Sequence, residues 1–403
     1  MNKPKRKRCP CTSCVVTEDK TVWRKEEFNA GSSNQVKDLL KELGIRIPTK
    51  RNKEGETVET TGKKQLQRLA KKNEQLRPIL IIRSKRTLRQ NYDWNIDIDG
   101  RIRTYYGFNP STWRLSSWYN NLAVIPRRGE LSHRVRKLIK AAPGYVLGEV
   151  DSAGIEAVLV GYYAKSERFV RLAKAGLHGW LTAKRLGQEI PIDLPFDELQ
   201  RRCKATKRAN PRLYDVIKPI VHGVDFDESA WGIYEQNPEE FESPKEAEEL
   251  RAFYLSTLPG QDLAKWQEET RQQAHSQRCL QNAYGVKHWF WSVFQFNQGK
   301  GIWEPDSSGD GKRCLAFLPQ STAACMNREY ALTFAAKYPE WVKFMRLFTY
   351  DSISLEWPKE LGDEPIRALA DVMSMKLPAL DGLSIGVEAK MGEDLERMDE
   401  IKL

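Results

Sequence analysis

Two short β-like segments, far apart in the chain and each carrying an acid, constrain the fold most. Residues 145–151 (Tyr-Val-Leu-Gly-Glu-Val-Asp) form a mainly apolar run opened by Pro143-Gly144, which reads as a strand ending on Asp151. Residues 347–357 read as a tight hairpin whose turn carries Asp351. Between them a helix is predicted over about 153–164 and a mostly helical pattern over about 165–310. Strand, helix, long helical stretch and hairpin, in that order, imply an α+β fold with a helical subdomain inserted.

At 403 residues, 40% of them hydrophobic, the chain can bury two or three packed subdomains. It has no apolar run of about 18 or more residues, so no transmembrane helix and no membrane partner are expected. The N-terminus, Met-Asn-Lys-Pro-Lys-Arg-Lys-Arg, lacks the apolar stretch of a secretory signal, and an intracellular location is expected. Seven cysteines, with Cys203, Cys279, Cys314 and Cys325 scattered, suit a reduced protein rather than a disulfide framework. The net charge of +11 suits a protein that tracks phosphates, although many basic proteins are merely soluble.

Residues 1–28 form a basic arm in which Lys3, Lys5, Arg6, Lys7 and Arg8 would touch DNA, serve as a targeting address or simply be solvated. Cys11 and Cys14 have zinc-knuckle spacing with Cys9 beside them, but no fourth Cys or His lies nearby. Zn²⁺ there is the lesser reading. From residue 29 the pattern becomes regular: a helix over 36–43 that stops at Gly44, a loop over 46–62, and basic helices with one dry face over 63–90.

Transfer of a phosphoryl group to a hydroxyl needs a deprotonated nucleophile at neutral pH and neutralised charge on the phosphate. Two Mg²⁺ ions about 3.5–4 Å apart do both. Mg²⁺ takes hard oxygen ligands, usually one or two carboxylates with waters and substrate phosphates. Asp151 and Asp351 meet that minimum if the fold brings them together. Taken singly, an Asp in a turn is more often plain turn chemistry.

Several words, in order, carry a resemblance. Residues 151–156 (Asp-Ser-Ala-Gly-Ile-Glu) resemble motif A of the family A DNA polymerases. Arg114-Leu115-Ser116-Ser117, Asn121-Leu122 and Ile125-Pro126 are similar to that family's Arg-Leu-Ser-Ser…Asn-Leu…Ile-Pro element, and 134–150 to the stretch leading into motif A. Tyr350-Asp351-Ser352 resembles motif C, and residues 319–324 (Pro-Gln-Ser-Thr-Ala-Ala) resemble the Pro-Val-Gln-Gly-Thr-Ala-Ala element. Residues 28–35 resemble the segment that opens the polymerase domain, so the likeness runs from about 28 to the C-terminus.

The resemblance implies a right-hand polymerase fold with an antiparallel palm sheet and helical fingers and thumb. Residues 29–45 would start the palm, 46–105 form the thumb, 106–164 the palm with motif A, 165–310 the fingers and 311–403 the palm with motif C. The implied activity is primer-dependent, template-directed DNA synthesis from dNTPs with two Mg²⁺ ions, Mn²⁺ being a substitute. Asp151 and Asp351 would hold the metals, with the Ser152 carbonyl as a further ligand. Glu156 would be the steric gate against a ribose 2′-hydroxyl, or else a helix-surface carboxylate. Arg114 would probe the minor-groove edge and Gln320 lie along the duplex, with Asn121 and Tyr350 also in the DNA-binding set. His178 looks like the family's Ile-His-Thr helix start, core packing being as good a reading.

Lys218, His222 and Phe226 keep the four-residue steps of motif B, which stack on one helical face. Lys218 would bind the triphosphate and protonate the leaving pyrophosphate; His222 would lie against the base and sugar, and Phe226 beside the templating base. Tyr214 stands where the family has Arg, so Arg212 or Arg208 would reach the γ-phosphate. Asp227 replaces a Gly, Ser352 a Glu and Tyr350 a His. Pro219 should either start the helix or kink it. No exonuclease is expected in this chain, so a separate exonuclease or a larger replication complex would be the partner. Two alternatives stay open. One is an RNA polymerase or reverse transcriptase on the same hand, against which Glu156 and the lack of a Tyr-x-Asp-Asp word argue. The other is a decayed protein that binds primer–template nucleic acid without extending it.

Overall fold

The computed structural model describes residues 2–5, 22–25, 28–51, 56–108, 110–126, 132–307 and 309–403. The cluster Cys9, Cys11 and Cys14 lies outside the described residues. The chain divides into two compact units, residues 1–91 and 92–403.

In the first unit, α1 (Ser33–Glu42) begins where the Ser32 hydroxyl accepts from the Gln35 N–H and ends before Gly44, whose φ of +67° suits glycine. It buries Val36 and Leu40. α2 (Lys63–Lys72) adds Leu66 and Ala70, and α3 (Arg77–Tyr92) adds Ile79; with Ala30, Ile47 and Leu76 these form one small core. α1 and α2 each have a dry face, as their spacing predicts, whereas α3 buries only Ile79 and leaves Ile81 and Ile82 exposed. The expected loop at 46–62 contains a short hairpin, Thr49–Arg51 with Thr57–Glu59.

The second unit is built on an antiparallel sheet. Its strands are β1 (Tyr145–Ser152), β6 (Met345–Phe348), β7 (Ser352–Pro358), β8 (Val387–Gly392) and β9 (Met398–Ile401), in the order β6-β7-β1-β8-β9. One face is apolar: Val146 and Val150 share a core with Ile353, Leu355, Trp357 and Ala389. Gly148 is required there, because a Cβ would meet the Trp357 ring at 2.5 Å. The opposite face carries Glu149 and Asp151 beside Ser354 and Ser352. On it Glu356 is buried and bound by Arg101 at 2.8 Å, Arg346 at 2.7 Å and the Ala142 N–H at 2.8 Å. Burial opposes the charge of Glu356, and these three donors still hold its carboxyl below the usual range.

Behind the apolar face lie α4 (Ile155–Tyr163), α11 (Asp310–Lys337) and α12 (Glu364–Met373). Between α4 and α11 run α5 (Glu167–Ala175), α6 (Leu177–Arg185), α7 (Phe196–Ala209), α8 (Pro211–Asp225), α9 (Pro244–Ser256) and α10 (Leu258–Gln277). They enclose a second core that includes Phe169, Leu172, Ile220, Leu263 and Trp266. The stretch 165–310 is not helical throughout. Two hairpins close it, β2 (Cys279–Gln281) with β3 (Lys287–Trp289) and β4 (Phe294–Asn297) with β5 (Ile302–Pro305).

Candidate active site

The two acids predicted from sequence are carried on adjacent stretches of backbone at one end of the sheet. Ser352 is the register partner of Asp151, and the Ser152 N–H donates to the Asp351 carbonyl at 2.9 Å. Opposed Cα atoms in an antiparallel ladder lie about 4.5–5.5 Å apart, so the backbone of the Asp351 turn lies beside that of Asp151 and Ser152. Both are half-buried. The turn that carries Asp351 is tightly held: the Thr349 N–H donates to the Ser352 carbonyl at 3.0 Å and the Thr349 and Ser352 hydroxyls share a hydrogen bond. From α11, the Asn327 amide donates to the Thr349 carbonyl at 2.9 Å. Ser352 thus closes the turn with its hydroxyl where the resembling motif has a carboxylate.

Asp151 and Asp351 suit a hard cation, since both side chains are carboxylates and neither a thiol nor an imidazole is among them. Among the described residues no group of three or more His, Cys, Asp or Glu side chains is arranged to hold a metal. Sequence reasoning misses Glu388, which is the partner of Asp151 on its other flank in β8. Nothing in the sequence places it there, because that register arises only when β8 pairs with β1.

The strand turns into α4 at Gly154, which has φ +62°, and Glu156 follows in the first turn of the helix. Arg114 binds the Glu156 carboxylate, and its guanidinium lies over the Tyr350 ring, 5.0 Å from the centroid. Three residues chosen from separate motifs thus form one clasp beside the paired acids. Asn121 lies at the surface, accepting from Ser117 at 2.8 Å, whereas the buried Asn120 binds the carbonyls of Asn95 and Arg103. Gln320 is half-buried on α11.

Lys218, His222 and Phe226 follow at four-residue steps along α8 and just past its end. Pro219 lies inside α8, so the helix does not begin at it. A proline removes the N–H that would bond the Asp215 carbonyl. Asp215 is exposed to water, and burial of Val216, Ile217, Ile220, Val221 and Val224 holds the helix on both sides. Lys218, His222 and Phe226 line a cleft of about 460 Å³ whose other residues include Gln236, Asn237 and Glu240.

On α6, His178 has rings on two sides, Tyr214 at 5.7 Å and His222 at 5.8 Å. Its buried Nε2 has no hydrogen-bond partner. Burial first, then the charges of His222, Lys218 and Lys207, push its pKa down to about 3, so its imidazole is neutral. Lys207, which sequence reasoning overlooks, stands over the Tyr214 ring at 5.1 Å and so joins Lys218 near His178. Arg212 is instead largely exposed and bound to Glu242 at 3.1 Å, and Arg208 is exposed.

The end of α8 is held by a polar network. Asp225 is fully buried and accepts from the Tyr254 hydroxyl at 2.9 Å. Burial pushes its pKa up to about 8; the Tyr254 bond lowers it and the charge of Glu156 adds to the rise. Gln267 on α10 donates to the Val224 and Asp225 carbonyls. Asp227, in the left-handed region at φ +53°, accepts from Arg251 at 2.8 Å and Arg271 at 2.6 Å.

Against known proteins, the model of the family described as DNA polymerase family A matches residues 13–397. The thermostable DNA polymerase I of Thermus aquaticus is 25% identical over 377 residues, 91% of this chain and 42% of that protein. DNA polymerase I of Treponema pallidum is 27% identical over 241 residues, 58% of this chain and 22% of that protein. The chain spans less than half the length of these curated relatives. A solved structure of the POL domain of Pol1 from M. smegmatis, in complex with DNA primer-template and dNTP, shares the fold. Its TM-score is 0.70 over 92% of this chain and 62% of that one, with 22% sequence identity.

Proposed function

The chain belongs to DNA polymerase family A, and from that premise we propose that it extends a DNA primer along a template with dNTPs. The pairing of Asp151 with the turn of Asp351 in one sheet supports this reading most. Asp151 and Asp351, with the Ser152 carbonyl, would hold two Mg²⁺ ions, which when bound neutralise phosphate charge and favour a deprotonated primer hydroxyl. Lys218 would take the triphosphate and donate a proton to the departing pyrophosphate, with Lys207 adding positive charge nearby. Glu156 would crowd a ribose 2′-hydroxyl, and its bond to Arg114 holds it in one position. Arg114, Asn121, Gln320 and Tyr350 are assigned to the primer–template, and His222 and Phe226 to the nascent base pair. Residues 29–45, 106–164 and 311–403 would form the palm, 46–105 the thumb and 165–310 the fingers. Among the described residues no helix is long and apolar enough to cross a membrane.

Primer extension with Mg²⁺ or Mn²⁺, and with dNTPs and NTPs in parallel, tests the reading. Asp151→Asn and Asp351→Asn should each abolish extension and leave duplex binding within about threefold of the parent, because the carboxylates act on the transition state while other groups hold the DNA. Binding that falls in step with extension would count against a catalytic role. A parent chain that binds but never extends would sustain the decayed alternative.

A further inference from the structure

The hairpins at 279–305 carry large aromatic side chains on the wrong side for a core. Trp289, Trp291, Phe296 and Trp303 are 55%, 72%, 50% and 68% exposed. Exposure on this scale costs hydrophobic stabilisation at each ring, and clustered exposed aromatics mark interaction sites. The rings are also ordered. Trp289 and Trp291 lie nearly parallel, 13° between planes and 6.3 Å between centroids. Phe296 and Trp303 are direct cross-strand partners, 5.6 Å apart.

The frame beneath them is rigid. Phe290 is fully buried between the two tryptophans, and the Trp291 and Ser292 N–H groups both donate to the buried Asp310 carboxylate at the start of α11. Arg278 donates to the Trp291 carbonyl at 2.8 Å. The hairpins and the residue before them hold three cations, Arg278, Lys287 and Lys300, against one acid, Glu304, which pairs with Lys300 at 3.0 Å, so the local charge is net positive.

We propose that this two-hairpin surface is a stacking platform for single-stranded nucleic acid, binding bases on the faces of Trp289, Trp291 and Trp303 and the backbone through the surrounding cations. Stacking on flat aromatic faces accepts any base, and a phosphate chain supplies the complementary charge. Duplex bases are already stacked on one another, so the platform selects unpaired strands. The inference does not rest on the polymerase reading, since it needs neither the paired acids nor nucleotide addition.

Fluorescence anisotropy of labelled oligo-dT and oligo-U, with a blunt duplex alongside, tests it on the full chain. Trp303→Ala and the double variant Trp289→Ala/Trp291→Ala should each weaken single-strand binding about 5- to 100-fold and change duplex binding little. Trp303→Phe, which keeps a flat ring, should recover most of the loss. Binding of either oligonucleotide with this pattern supports the platform, and the two probes tell which sugar it accepts. Unchanged single-strand affinity in both alanine variants overturns it. So does a change in sedimentation from oligomer to monomer with unchanged affinity, which would make the surface a protein interface. Failure of primer extension with the single-strand effect intact would sink the polymerase reading alone.

Discussion

Glu156 lies within reach of Arg114 and close enough to Asp225 to add to the rise in that carboxyl's pKa. Its position in the first turn of α4 is fixed by the Gly154 turn, so its carboxylate occupies one region of the site instead of sweeping through it. In the proposed reading a deoxyribose would fit beside this carboxylate and a ribose 2′-hydroxyl would not. Glu156→Ala should therefore raise NTP use relative to dNTP use, by roughly tenfold or more for a clash worth about 1.4 kcal/mol. Competition assays with matched dNTP and NTP read the ratio; an unchanged ratio would put the gate elsewhere. Lys218 makes a separate case. In the proposed reading the incoming triphosphate brings several negative charges, and the Lys218 ammonium would offer the leaving group a proton. Lys218→Ala should slow single-turnover addition by about 10²–10⁴-fold, the span of a general acid. Lys218→Arg should recover binding more than rate, because a guanidinium keeps its proton. Near-parental rates for the Ala variant would shift the role to Lys207.

At the scale of elements, the end of α8 is anchored by a buried carboxyl whose charge is suppressed. The sign follows from its raised folded pKa: from about 3.8 unfolded to about 8 folded, Asp225 holds its proton in the native state after the unfolded chain has lost it. Its contribution to stability is full below about pH 3.8 and declines as pH rises through that window, becoming constant above about 8. Asp225→Asn keeps an acceptor for Tyr254 and removes the titration. Its melting temperature relative to the parent should rise between pH 5 and pH 8, measured by thermal unfolding at each pH. A difference independent of pH would mean that Asp225 is ionised when folded. The elements themselves were unequally legible. β1 and the β6–β7 hairpin can be read from local pattern, because apolar runs are bounded by Pro-Gly and by a turn acid. β3 cannot, because only Lys287, His288 and Trp289 form it, and the aromatic run that continues past its end through Phe290 and Trp291 marks no boundary in the sequence. Pro219 shows the reverse limit: it does not start a helix but lies within α8, with buried residues on either side of it.

At the scale of the whole molecule, the family and the pairing of Asp151 with the Asp351 turn were legible, since a few words of sequence sit where chemistry requires them. Glu388 opposite Asp151 and the Arg101–Glu356–Arg346 group were not, because they join residues whose proximity only long-range strand pairing creates. Charge belongs to this scale too. The chain carries 65 basic against 54 acidic side chains, and many of the latter are committed to internal ion pairs such as those of Asp227, Asp262 and Asp394. A protein that holds a duplex by its phosphates releases counterions on binding, so affinity falls as a power of salt concentration. For about four phosphate contacts, raising monovalent salt from about 0.05 to about 0.2 M should weaken primer–template binding on the order of 10²-fold. Asp151→Asn should follow the same slope, because that carboxylate is assigned to the reaction and not to holding the duplex. The salt dependence of anisotropy-measured affinity, parent and variant side by side, decides the matter. A flat dependence would mean that the net positive charge serves something other than a nucleic-acid backbone.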